Sequence, residues 1–264
     1  MSERYETITL DRPADNVLLV TLNRPAAANA LNTRMGLDLL DLFTEMAASP
    51  EFCRAVVLTG AGQKAFCAGG DLKERNGLTD AAWQAQHLIF ERMVKALIDC
   101  PMPLIAAVNG SAYGGGCEIA LACDFIYAAR GVRFALPEVT LGIMPGAGGT
   151  QTLPRALGER RAKELLLTGR PFAAEDAAAW GMVNRLCDPA ALVSDAIETA
   201  SAIAANAPIA IRQAKRAMHH GLGLSLADGM LFEVEAYNRM VPTEDRREGV
   251  RAFNEKRRPV FVGR

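Results

Sequence analysis

The residues whose types and spacing could do chemistry are gathered in one decapeptide, Asn109-Gly110-Ser111-Ala112-Tyr113-Gly114-Gly115-Gly116-Cys117-Glu118. The apolar run Leu104-Ile105-Ala106-Ala107-Val108 leads into it and reads as a buried strand, and residues 119–123 follow it as a helix. Three consecutive glycines at such a junction are costly, because glycine loses more backbone freedom on ordering than any other residue. Two gains could offset the cost. Without Cβ atoms the chain can approach a ligand closely, and the N–H groups of the helix start then point at it. Glu118 falls in the first helical turn, where the helix dipole favours the carboxylate. Donors for a developing negative charge beside a carboxylate are what enolate or oxyanion chemistry requires. The same residues would equally make a glycine-rich turn followed by a dipole-favoured glutamate.

A second carboxylate, Glu138, stands among apolar residues after Pro137. It is either exposed at a helix start or held in a dry pocket with a raised pKa. A second glycine-rich stretch runs from Gly60 to Leu72. It is too long for a plain hairpin and lacks the Gly-Lys-Ser/Thr of a phosphate loop. It reads either as a loop offering backbone donors or as a surface loop whose glycines permit positive φ. Gly146-Ala147-Gly148-Gly149 is not a dinucleotide fingerprint, since the third glycine is missing and no strand runs directly into it. His87, alone on a helical stripe with Trp83, is expected to be packed rather than catalytic. His219 and His220 suit a helix C-terminus, and no further His is near them to complete a metal site.

The elements that must position these groups follow from periodicity. Residues 5–10 and 17–22 read as strands joined by a turn at Pro13-Ala14-Asp15-Asn16. Thr33 is expected to cap a helix to about Ala47, with Met35, Leu39, Leu42 and Met46 inward and an acidic outer face of Asp38, Asp41 and Glu45. Residues 55–59 form a short apolar strand of the kind covered on both faces. A helix over 80–99, capped by Thr79, precedes the central strand, and 124–129 is a further strand. Beyond Pro154 helices dominate, with a last strand at 182–186. Alternating strands and helices followed by a helical tail indicate an α/β fold with an α-helical appendage. The division is placed between a core over 1–189 and a helical region over 190–264.

Composition excludes several classes. The chain has 264 residues, half of them hydrophobic, and a formal charge of −1. That balance gives no bias toward nucleic acid or an anionic membrane, and no apolar run is long enough to span a bilayer. Six cysteines without Cys-x-x-Cys spacing read as reduced packing residues of an intracellular protein. The first residues have neither a secretory nor a transit pattern, so a cytoplasmic location is expected. The basic stretch from Asp245 to Arg264 reads as a solvated face or as a partner for an anion such as phosphate.

Taken together, Ala68-Gly69-Gly70-Asp71-Leu72, the Asn109–Glu118 decapeptide, Pro137-Glu138 and Gly142-Ile143-Met144-Pro145-Gly146-Ala147-Gly148-Gly149 resemble the crotonase, or enoyl-CoA hydratase/isomerase, superfamily, from about Ile8 to the end of the chain. Asp71-Leu72-Lys73-Glu74-Arg75 and Leu153-Pro154-Arg155-Ala156 are most similar to its methylglutaconyl-CoA hydratases. The resemblance implies a spiral of strand-strand-helix turns with C-terminal helices that build homotrimers, often paired into hexamers. It implies an acyl-CoA substrate and no cofactor or metal, coenzyme A being part of the substrate. The thioester oxygen would accept the N–H groups of Gly70 and Gly115, and Glu118 and Glu138 match the carboxylate pair of true hydratases. Coenzyme A contacts would map to Ala26 and Ala28, to Ala68, Asp71, Leu72 and Lys73, and across a subunit boundary to Tyr237 and Lys256. The expected reaction is hydration of a trans-2-enoyl-CoA to a 3-hydroxyacyl-CoA. A 3,2-enoyl-CoA isomerase, needing one base only, is the alternative within the family. An RNA-binding module is the alternative outside it, opposed by the acidic first helix.

Overall fold

The computed structural model describes residues 4–264. A six-stranded sheet runs in the order β1 (Ile8–Ala14), β2 (Val17–Leu22), β3 (Ala55–Gly60), β5 (Leu104–Val108), β7 (Phe125–Ala129), β10 (Arg185–Cys187). Only the β1–β2 hairpin is antiparallel; the other pairings are parallel. A second, four-stranded sheet is made of short strands: β4 (Ala65–Cys67), β6 (Ser111–Tyr113), β8 (Arg133–Ala135) and β9 (Phe172–Ala173). Thus β3, β5 and β7 each give way within a few residues to a short strand of the second sheet, and a helix follows. This repeated strand-strand-helix turn winds the chain into a spiral.

The helices are α1 (Thr33–Ala48), α2 (Leu72–Arg75), α3 (Asp80–Ile98), α4 (Gly115–Ala122), α5 (Gly149–Leu157), α6 (Glu159–Thr168), α7 (Ala174–Ala179), α8 (Leu192–Ala204), α9 (Pro208–Gly221), α10 (Leu226–Asn238) and α11 (Glu244–Asn254). The central strands are almost wholly apolar because both faces are covered. Val56, Leu58, Leu104 and Ala106 join one core with Met35, Leu39, Phe90 and Met93 of α1 and α3. The alternate residues Ala55, Val57, Ile105 and Ala107 join a second core with Leu192, Ala196, Ala200 and Ala204 of α8. The first helix of the 190–264 stretch therefore lies on the sheet itself, and α9, α10 and α11 follow it.

Several local expectations are corrected. The first strand begins at Ile8 rather than Tyr5 and continues through Pro13 to Ala14. The cap of α1 is Asn32, whose side chain accepts from the Met35 N–H, and Thr33 is already helical. Asp38 is not on an outer acidic face. It is buried, accepts the Thr7 N–H at 3.0 Å and the Thr7 hydroxyl at 2.7 Å, and pairs with Arg34 at 2.8 Å. A short polar acceptor pinning the incoming chain outweighs the cost of burying the carboxylate, because each of its bonds is charge-assisted. The Gly60–Leu72 stretch is not loop throughout, since β4 lies within it. All six cysteines are unpaired and buried, as their apolar settings indicate.

Candidate active site

The strand β5 delivers Asn109 to the top of the sheet, where its side chain ties neighbouring turns together. Its Nδ2 donates to the carbonyls of Gly60 at 2.8 Å and Gly62 at 2.7 Å, and its Oδ1 accepts the Gly60 N–H. The glycine run then reverses the chain through Gly114 and opens α4 at Gly115, which puts Glu118 in the first helical turn as expected. Gly114 has φ +51°, and a Cβ there would meet Glu138 Oε1 at 2.8 Å. At Gly116 a Cβ would lie 2.2 Å from the Cys67 carbonyl oxygen. These glycines thus serve close approach: the first to a carboxylate, the second to β4.

The same approach brings two backbone donors together. A Cβ built on Gly115 would stand 3.9 Å from the Gly70 nitrogen. Gly115 is the first residue of its helix, and Gly70 lies on a single bridge to Leu31 whose bonds are made by the N–H groups of Leu31 and Asp71. Among the described residues neither the Gly70 nor the Gly115 N–H has a protein acceptor. Both line a cavity of about 500 Å³, together with Ala68, Leu72, Glu118 and Glu138.

Glu118 is 3% exposed. Its Oε1 accepts N–H groups of Ala147 and Gly149, each at 2.8 Å, so the Gly146–Gly149 segment acts as a clamp on this carboxylate. The helix start was expected to favour its charged form. Burial instead raises its pKa, an effect opposed by the two N–H bonds and by the charges of His87 and Arg75. Glu138 opens a short 3-10 helix after Pro137 and is buried, so the dry-pocket alternative holds. Burial pushes its pKa to about 7, and the nearby Glu118 charge adds to the rise. Its Oε2 is buried without a hydrogen-bond partner among the described residues.

The remaining expected residues divide by position. Asp71 caps α2 through the Lys73 and Glu74 N–H groups and pairs with Arg24 at 2.9 Å, which ties the Ala26–Ala28 turn to the cavity rim. Ala28, in the left-handed region at φ +50°, accepts the Ala68 N–H. Ala26 and Lys73 are exposed beside this rim. Tyr237, exposed on α10, and Lys256, exposed in the turn after α11, do not line the cavity. Sequence reasoning missed Arg75 and set His87 aside as packed, yet both line the cavity. The only signal for Arg75 was its place three residues past a candidate donor loop. The helical stripe of His87 was visible, but not that Gly146 would press against its ring, a Cβ there meeting Cε1 at 2.3 Å.

A carboxylate-lined cavity at the end of a strand-strand-helix spiral defines the crotonase fold. The chain belongs to the enoyl-CoA hydratase/isomerase family, whose model matches residues 12–264, and it is an enzyme of that family. YngF of Bacillus subtilis is 48% identical, with 94% of this chain and 95% of that protein covered. The short-chain-enoyl-CoA hydratase of Clostridium acetobutylicum is 40% identical over 92% of each chain. The crystal structure of enoyl-CoA hydratase from Bacillus anthracis shares the fold with a TM-score of 0.96 and 42% identity, covering 98% of this chain and all of that one.

Proposed function

We propose that this enzyme adds water across the double bond of a trans-2-enoyl-CoA to give a 3-hydroxyacyl-CoA, in the degradation of fatty or branched-chain acyl groups. The observation that carries the reading is the pair of buried carboxylates beside two backbone N–H groups without acceptors among the described residues. In this reading the thioester oxygen accepts from Gly70 and Gly115, so charge developing on it meets preorganised donors. Glu118, charge-stabilised by the Ala147 and Gly149 N–H groups, takes a proton from water as the oxygen attacks the β-carbon. Glu138, with a pKa pushed up to about 7, is protonated near neutrality and delivers a proton to the α-carbon. No metal or separate cofactor takes part. The coenzyme A part lies along Ala26, Ala28, Ala68, Asp71, Leu72 and Lys73, and Tyr237 and Lys256 reach it from a neighbouring subunit of a homotrimer or hexamer. The protein works in the cytoplasm, on neither nucleic acid nor membrane.

The test is loss of enoyl thioester absorbance with crotonyl-CoA in isotopically labelled water. Glu118→Gln and Glu138→Gln should each slow hydration by at least about 10²-fold, the usual contribution of one acid–base group, while still binding the thioester. The double variant should be little worse than the poorer single one, because the two groups act as a unit. Hydration at near wild-type rate by Glu138→Gln would overturn the two-carboxylate mechanism, and double-bond migration without hydration by the wild type would replace this reading with a one-base isomerase.

A further inference from the structure

Arg75 lines the cavity wall and has so far been given no part in the reaction. It is half-buried, yet no carboxylate lies within ion-pair distance of it among the described residues. Its Nε donates to Gln86 Oε1 at 2.8 Å, and its guanidinium carbon sits 4.4 Å above the Trp83 ring and 5.5 Å from that of Phe90. Stacking of this kind holds a guanidinium in place while leaving its charge unneutralised. The adjacent acid, Glu74, acts on this charge but forms no ion pair with it among the described residues: its Oε2 accepts the Thr33 N–H and the Gln86 amide, each at 2.8 Å. Gln86, 4% exposed, also donates to the Thr33 hydroxyl at 2.8 Å, so the side chain that aims Arg75 is itself fixed. The far end of Arg75 reaches Gly70, one of the two donors. A Cβ on Gly70 would lie 3.4 Å from its Cζ and 3.5 Å from Nη1, and Glu118 stands one helical turn beyond Gly115.

We infer that Arg75 is a positioning residue for the reaction: its guanidinium, kept off the surrounding carboxylates by Gln86 and the two rings, supplies the fixed positive charge that keeps Glu118 ionised in its buried place. This rests on the hydratase reading, in which Glu118 must be a carboxylate before water can lose a proton to it. The groups around Glu118 sort accordingly. Glu138 on its 3-10 helix opposes the Glu118 charge, and the buried Cys117 thiol beside it carries none. His87 on α3 is met by Glu91 at 3.0 Å, and Glu74 on α2 is engaged by Thr33 and Gln86. Arg75 is left as the permanent cation on that side. Arg75, half-buried, and Glu118, buried, line the same cavity, and partly buried charges are screened less than exposed ones, so its loss should be felt at Glu118 without direct contact.

The experiment compares wild type, Arg75→Met and Arg75→Lys. The pH profile of kcat/KM is measured with crotonyl-CoA, alongside the infrared carboxylate band of Glu118, identified by its absence in Glu118→Gln. Arg75→Met should move the acid limb of the profile and the titration of that band upward together by about one pH unit, roughly tenfold in equilibrium. Arg75→Lys should restore most of both. An unmoved limb and band in Arg75→Met overturns the inference, as does an equal shift in Arg75→Lys, which would assign the effect to packing. If Arg75→Met instead raises KM with the limb in place, Arg75 is a substrate contact and the inference also falls. The band reports without turnover: a band shift in Arg75→Met beside a wild type that does not hydrate crotonyl-CoA defeats the hydratase reading alone.

Discussion

At the scale of single residues, Glu138 sets fold against function. Its pKa stands near 7 in the folded chain because burial disfavours the charge. An unfolded glutamate titrates near its ordinary value, so between those two pH values the folded state binds the extra proton. A raised folded pKa contributes stability that is fully present below the ordinary carboxylate range and is lost as pH rises through about 7. Glutamine mimics the protonated form at every pH. Glu138→Gln should therefore melt close to wild type at pH 5 and above it at pH 8, while being the less active protein at both. Thermal unfolding followed by circular dichroism at the two pH values checks this; a wild type that outlasts the variant at pH 8 would contradict the buried, raised carboxylate. Both glutamates were legible in the chain as acids at glycine-rich or apolar junctions. Their neighbours were not. The Ala147 and Gly149 amides reach Glu118 from 29 and 31 positions away, and no local pattern records such an approach.

At the scale of elements, the glycine run is what lets a long strand, a three-residue strand and a helix follow one another without a conventional loop. Gly116 is pressed on the Cys67 carbonyl, and backbone at that distance cannot yield as a side chain would. Gly116→Ala should lower stability by about 1–3 kcal/mol, the usual cost of overpacking, read as a lower urea midpoint with an unchanged slope. Loss of activity is expected with it, because moving α4 from β4 separates the Gly115 and Gly70 donors. Long elements were legible from the sequence: β3 and β5 as wholly apolar runs, and α3 with its Thr79 cap, whose side chain accepts the Ala82 N–H. The three-residue strands β4, β6 and β8 were not. They are too short to show a period of two, and their pairing is decided by the spiral rather than by their own composition. That α4 takes Gly115 and Gly116 as its first residues was not legible for a related reason. Glycine is a poor helix former, and only tertiary contact makes a helix begin on two of them.

At the scale of the whole molecule, the C-terminal helices leave apolar side chains in solvent. Leu222 is 89% exposed, and Leu226, Leu231, Val234 and Phe253 are exposed with it. Such a concentration exceeds what a solvated appendage needs. The proposed trimer would cover it and would carry Tyr237 and Lys256, which stand apart from their own chain's cavity, toward a neighbour's. Light scattering should then give a mass of three or six chains at micromolar concentration. Lys256→Ala should raise KM with kcat nearly unchanged, since a remote ionic contact is equal in ground and transition states. A stable, active monomer would reject the assembly and the Lys256 role together. The overall α/β order and the helical tail were readable from periodicity. The lie of α8 on the sheet was not, because an alanine-rich helix carries no mark of which surface it covers.

The six thiols have a practical consequence. Burial pushes Cys53 and Cys67 up to about 12 and Cys100 and Cys187 up to about 11, and only the thiolate attacks an alkylating reagent. A closed molecule is thus nearly mute toward such reagents, and each modified sulfur is the trace of a door that opened. Cys53 and Cys100 watch the base of the sheet, Cys187 watches its last strand, and Cys67 with Cys117 watches the seam where α4 meets β4. The chain carries its own set of seismographs, one of them built into the wall behind the reacting groups.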